Sequence, residues 1–136
     1  MSKCVITGKE IVGDSHDAQP VCEGRCSEEA CYQVVIPYRL FLSNSKNKML
    51  VLTTDNKIET YKPKDKHFKL EELQQGVEGY IEIYPKRFNG YMIICNEEGR
   101  LKNMKPNRLA KIILGLDLVG PVVLVEEKEM INVCPE

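Results

Sequence analysis

Tyr80-Ile81-Glu82-Ile83-Tyr84-Pro85-Lys86-Arg87-Phe88-Asn89-Gly90-Tyr91-Met92-Ile93-Ile94-Cys95-Asn96 is the stretch that decides the fold class. Asn-Gly between two β-branched and aromatic arms is the strongest short-range hairpin signal, because both residues tolerate the positive φ of a tight type I′ turn. In the first arm Ile81 and Ile83 share one face, and Tyr80, Glu82 and Tyr84 share the other, the period-2 pattern of a strand. Two strands are therefore predicted, over Tyr80–Phe88 and Tyr91–Asn96.

Working outward, Met49–Thr54 and Lys57–Tyr61 read as a further pair of strands about a turn at Asp55-Asn56. Leu70, Leu73 and Val77 fall at i, i+3 and i+7, which predicts a short helix over Lys69–Gln75 closing near Gly76. Pro106–Leu114 reads as a second helix, with proline in its first turn, Leu109, Ile112 and Ile113 inward, and Gly115 at its end. Gly120-Pro121 then opens a last buried strand, Val122–Val125. The order β-β-α-β-β-α-β describes an α+β fold with a mainly antiparallel sheet and two short helices.

The amino-terminal third differs. Residues 1–33 lack periodicity and are rich in Gly, Asp, Glu and Cys, as in a loop-rich module that needs a staple to be ordered. Gln33–Leu42 is strand-like but interrupted by Pro37, and Ser43–Lys48 is a polar linker. The chain thus divides into a Cys-rich module over 1–45, ending in a strand, and an α+β domain over 46–136.

At 136 residues, 43% hydrophobic and 29% charged, the chain suits a globular fold and not a disordered one. No apolar run approaches a membrane span. Met1-Ser2-Lys3-Cys4 leads into no apolar core, so no secretory signal and a cytoplasmic location are expected. The net charge of −1 hides unlike segments: −2 over 1–45, +2 over 46–75, +3 over 76–114 and −4 over 115–136.

Cys4, Cys22, Cys26 and Cys31, with His16 as an alternate ligand, form one constellation. Four soft ligands on turns are what a tetrahedral structural zinc requires. Reduced cysteines without metal, and disulfide or redox chemistry, are the other readings, the second disfavoured by a cytosolic setting. Cys95, in an apolar strand, reads as a small hydrophobe, and Cys134 lies in the tail.

Arg100, Lys102, Lys105, Arg108 and Lys111 place five cations in twelve residues without an intervening acid. Cations at a helix start oppose the helix dipole, so their placement there points either to a solvated basic face or to a receptor for phosphate or carboxylate. Asn96 and Asn107 could orient such an anion. Tyr80, Tyr84, Phe88 and Tyr91 could stack a base, or pack across strands. No nucleophile, base and carboxylate set is evident, nor a phosphate-loop or metalloprotease motif, so no enzyme is expected.

Glu78-Gly79-Tyr80-Ile81-Glu82-Ile83-Tyr84-Pro85, Cys95-Asn96-Glu97-Glu98-Gly99-Arg100-Leu101-Lys102, Pro106-Asn107-Arg108-Leu109-Ala110 and Val119-Gly120-Pro121-Val122 together resemble a domain-of-unknown-function family of phage, prophage and conjugative-element proteins, over about residues 68–126. Residues 4–39 resemble a second element of phage-encoded proteins. It is carried by Cys4, Thr7-Gly8, Ser15-His16, Ala18, Pro20-Val21, Gly24-Arg25-Cys26 and Val35-Ile36-Pro37, with Arg39. That element has a Cys-Cys-x2-Cys cluster after its Gly-Arg; here Ser27 follows Cys26, the next cysteine is Cys31, and Cys22 is additional.

The resemblance implies a small non-catalytic protein of a phage or mobile element, at work in the bacterial host cytosol. Joined to the basic helix start, it suggests a homo-oligomeric counter-defence protein that sequesters a small anionic, nucleotide-like signal through Asn96, Arg100, Lys102, Lys105, Asn107 and Arg108. The alternative is a zinc-stapled adaptor that binds nucleic acid or a host protein. The acidic residues from Glu126 to Glu136 disfavour a polyanion.

Overall fold

The computed structural model describes residues 3–46, 48–64 and 66–126. The segment 127–136, with Cys134 and most of the acidic tail, lies outside the described residues. The fold is α+β, built on a five-stranded antiparallel sheet. Its strands are β3 (Met49–Leu52), β4 (Ile58–Tyr61), β5 (Ile81–Phe88), β6 (Tyr91–Asn96) and β7 (Val122–Val125). A two-stranded ribbon of β1 (His16–Asp17) and β2 (Arg25–Cys26) precedes it. The large sheet runs β4-β3-β7-β6-β5, so the last strand is inserted between two hairpins.

The hairpin turns follow from local chemistry. Asn89 and Gly90 both have positive φ, 49° and 84°, as a type I′ connection requires. Asn56 takes φ 61° in the other turn. Helix α3 (Leu70–Val77) runs through Gly76 and ends on Glu78 in the left-handed region, φ 61°. Gly76 is thus a close approach and not a stop: a Cβ there would sit 2.9 Å from a Val123 methyl of β7. The expected second helix is shorter than its pattern. Arg108 and Leu109 are helical, and Ala110–Leu114 form a π-helical turn closed by Gly115 at φ 74°.

The strand expected over Gln33–Leu42 is helical. Helix α1 (Glu28–Ala30), a π-helical turn (Cys31–Val35) and helix α2 (Ile36–Ser43) run on without a break. Ser27 caps the start, its Oγ accepting from the Ala30 amide at 3.2 Å. Ala30, Val34, Tyr38 and Phe41 are buried at helical spacing. Pro37 falls in the first turn of α2, where a missing N–H is tolerated. Just before it the Ile36 amide reaches back five residues to Cys31 O, the wider register of a π turn. The β-branched run Val34-Val35-Ile36 favours a strand locally; burial of a helical face overrides that preference.

Alternation along the strands sends side chains to two cores. Leu50, Leu52, Ile58, Tyr91, Ile93, Cys95, Val122 and Leu124 pack with Cys4, Ile6, Cys26, Val34, Tyr38 and Phe41 and with Leu109 and Ile113. Met49, Val51, Ile94, Val123 and Val125 pack with Phe68, Leu73 and Val77 on the opposite face. The sheet therefore lies between α3 and a layer made by residues 4–41 with the short 108–114 helix. Burial on both faces explains why β3, β7 and β6 as far as Cys95 are unbroken apolar runs. The Cys-rich segment thus contributes to the main core. Among the described residues no helix is long and apolar enough to cross a membrane.

Candidate functional site

Three of the five clustered cations line one cleft of about 440 Å³. Arg100, Arg108 and Lys111 stand around it with Pro106, Asn107, Asp117, Leu118 and Val119. Asn107 forms its rigid base. The Asn107 side chain accepts from the Ala110 amide at 2.9 Å, which caps the short helix. Its amide nitrogen donates to Leu52 O at 2.8 Å and Gly120 O at 2.9 Å. Both amide hydrogens are engaged, so Asn107 shapes the cleft and has none left for a ligand.

The cations are tethered differently. The Lys111 ammonium lies 3.3 Å from an Asp117 carboxylate oxygen, both side chains being exposed. Arg100 Nη2 donates to the Asp117 backbone carbonyl at 3.1 Å. Arg108 Nε donates to Ile6 O at 2.5 Å, and its guanidinium lies against Gly8, where a Cβ would come within 3.1 Å of Nη2. Arg108 therefore ties the first loop of the chain to the short helix. Lys102 and Lys105 are exposed and outside the cleft lining.

Asn96 lines a smaller adjoining cavity of about 140 Å³ that shares Arg100 and Asp117 with the main cleft. Its side chain donates to Val77 O at 2.9 Å and accepts from the Glu98 amide at 2.8 Å, joining α3 to the turn after β6. The aromatic set does not gather as one platform. Tyr91 is buried, with its ring 5.2 Å from that of Phe41. Tyr84 and Phe88 are partly buried against the same core, and Tyr80 is exposed.

The four amino-terminal cysteines are free thiols in one neighbourhood. Cys4 and Cys26 are buried, Cys22 and Cys31 half-buried. Burial raises the Cys4 thiol pKa, but hydrogen bonds from Thr7, Ser27 and Ile6 outweigh it and bring the group down to about 7. The Thr7 amide is 3.4 Å from its Sγ. Burial, with Cys31 and Cys4 nearby, pushes Cys26 up to about 11. Burial and Cys4 push Cys22 up, partly offset by the Arg108 guanidinium. Burial and then Glu82 raise Cys95, in β6, to about 11.

His16 pairs with Cys26 across β1 and β2, and its buried Nε2 has no hydrogen-bond partner. Even so, among the described residues no group of three or more His, Cys, Asp or Glu side chains is arranged to hold a metal ion.

Two features lay beyond sequence reasoning. Asp117 enters the basic cleft as its one acid, from a segment read only as the start of an acidic end. A second cleft, of about 340 Å³, opens between α3 and β4, with Met49, Val51 and Pro121 in its lining and Glu59, Tyr61, Lys62 and Lys64 among its polar residues. No motif announces it, because its walls come from separate segments.

Residues 48–136 match the model of a family described as a domain of unknown function (DUF3846). No curated protein and no solved structure matches the chain.

Proposed function

The chain belongs to the DUF3846 family, and from that premise we propose that it is a non-catalytic phage or mobile-element protein that holds a small anionic, nucleotide-like ligand in the basic cleft. One observation carries the reading: Arg100, Arg108 and Lys111 converge on a single cleft of about 440 Å³ with Asp117 as its only acid. That volume is within the range of sites for drug-sized ligands, roughly 300–1,000 Å³. A phosphate entering there displaces the exposed Asp117 carboxylate from Lys111 and gains a charge-assisted bidentate partner in Arg100. Lys102 and Lys105, outside the lining, raise the local potential and hasten anion capture. Sequestration of an immune nucleotide signal is the role such a site would serve.

Incubation with cyclic and ADP-ribose-type nucleotides should raise the melting temperature. A ligand at a hundred times its Kd adds about 2.7 kcal/mol, on the order of 10 °C for a chain of this size. Lys111→Ala and Arg100→Ala should abolish the shift while leaving the apo melting temperature nearly unchanged. Arg108 is the poorer probe, since it also holds Ile6. Nucleotides that leave the melting temperature unmoved, or variants that bind like the parent chain, overturn the reading. Salt-sensitive binding of DNA or RNA instead would favour the adaptor.

A further inference from the structure

The large sheet has two edges, and they are not alike. On β5 the outer edge is blunted by Pro85, by a register shift between Ile83 and Arg87, and by Lys86 and Arg87. Such features prevent another strand from pairing there. At the other edge β4 is regular, pairing with β3 from Leu52↔Ile58 to Met49↔Tyr61 without a break. Among the described residues no strand pairs with its outer side.

The direction of its free backbone groups follows from the hairpin. The Thr53 amide donates to Lys57 O at 2.9 Å, so Thr53 and Lys57 form a hydrogen-bonded pair. Antiparallel pairs alternate, which makes Val51/Glu59 and Met49/Tyr61 hydrogen-bonded too. The N–H and C=O of Ile58 and Thr60 then point away from β3, toward the empty edge.

We propose that this edge pairs with β4 of a second copy of the chain, antiparallel about a two-fold axis at Thr60, joining two sheets into one of ten strands. This interface is independent of the anion cleft. An axis perpendicular to the sheet keeps each face on its own side, so residues of like parity must meet. Centred on Thr60, the register sets Thr60 against Thr60 of the second copy, Glu59 against its Tyr61 and Ile58 against its Lys62. A threonine pair is favourable across strands, and no like charges meet.

The neighbouring registers are worse. One step places Glu59 directly against Glu59 of the second copy. The other centres on Tyr61 at the end of β4, sets Glu59 against the second copy's Pro63 and shortens the ladder. Tyr61, on this edge strand, is 45% exposed. Glu59 and Tyr61 also wall the cleft beside α3. Pairing brings a second Tyr61 to each Glu59, so the two clefts flank the axis and share an aromatic rim.

Native mass spectrometry and light scattering across the micromolar range test this, with circular dichroism to confirm folding. The parent chain should be a dimer. Thr60→Pro removes an N–H that β3 does not use, and should give a folded monomer. Thr60→Lys and Thr60→Glu, each facing itself across the axis, should also be monomers alone, and an equimolar mixture should restore a heterodimer. A monomeric parent chain overturns the proposal. So does a dimer indifferent to both charged variants, or a mixture that stays monomeric. The mixing experiment keeps the test decisive if Thr60→Pro does not fold.

Discussion

Asn107 holds three backbone groups at once: the Ala110 amide, Leu52 O and Gly120 O. It thereby fastens the short helix to β3 and to the turn before β7. Asn107→Ala takes one donor from each of two buried carbonyls and leaves the helix without its cap. Each lost hydrogen bond costs roughly 1 kcal/mol, so chemical denaturation should show a loss of about 3 kcal/mol. A loss below 1 kcal/mol would mean that water replaces the side chain. The sequence marks Asn107 and Asn96 as polar residues beside cations, but it does not say which carbonyls lie opposite them. Both side chains are turned inward, to backbone groups as far away in sequence as Leu52 and Val77.

Among the elements, the first loop and the short 108–114 helix depend on each other through Arg108. Its bond to Ile6 O and its seat on Gly8 hold residues 4–9 against the sheet layer. Arg108→Ala should speed amide exchange over Cys4–Lys9 while leaving β6 and β7 protected. Stability should fall by about 1 kcal/mol, the worth of one partly exposed hydrogen bond. Unchanged exchange in that loop would show that Ile6 and Cys4 anchor it through burial alone. The amino-terminal helix carries a different lesson. Its Val34-Val35-Ile36 run looks like a strand, and only the spacing Ala30, Val34, Tyr38, Phe41 betrays a helical face. In the carboxy-terminal half, hairpin turns and apolar periods agree, and there the predicted elements coincide with the observed ones to within a few residues.

For the molecule as a whole, residues from both ends of the chain share one core. The family match begins at residue 48, yet Leu50, Leu52, Tyr91, Ile93, Val122 and Leu124 are covered by residues from the first third of the chain. A chain of residues 46–136 alone should expose that face, bind a hydrophobic dye and lose cooperative unfolding. Cooperative unfolding of that fragment at the full chain's midpoint would show the amino-terminal layer to be dispensable.

Strands, turns and the helical period were legible in the sequence, because each depends on neighbours within a few residues: Asn89-Gly90 makes its own turn, and Leu73 and Val77 mark their own face. Only the tertiary structure decided that β7 enters between the two hairpins, that the cysteine-bearing segment closes one face of the sheet, and that Arg108 ties down a loop. Those outcomes depend on contacts between residues separated by tens to about a hundred positions, which packing selects and local pattern does not encode.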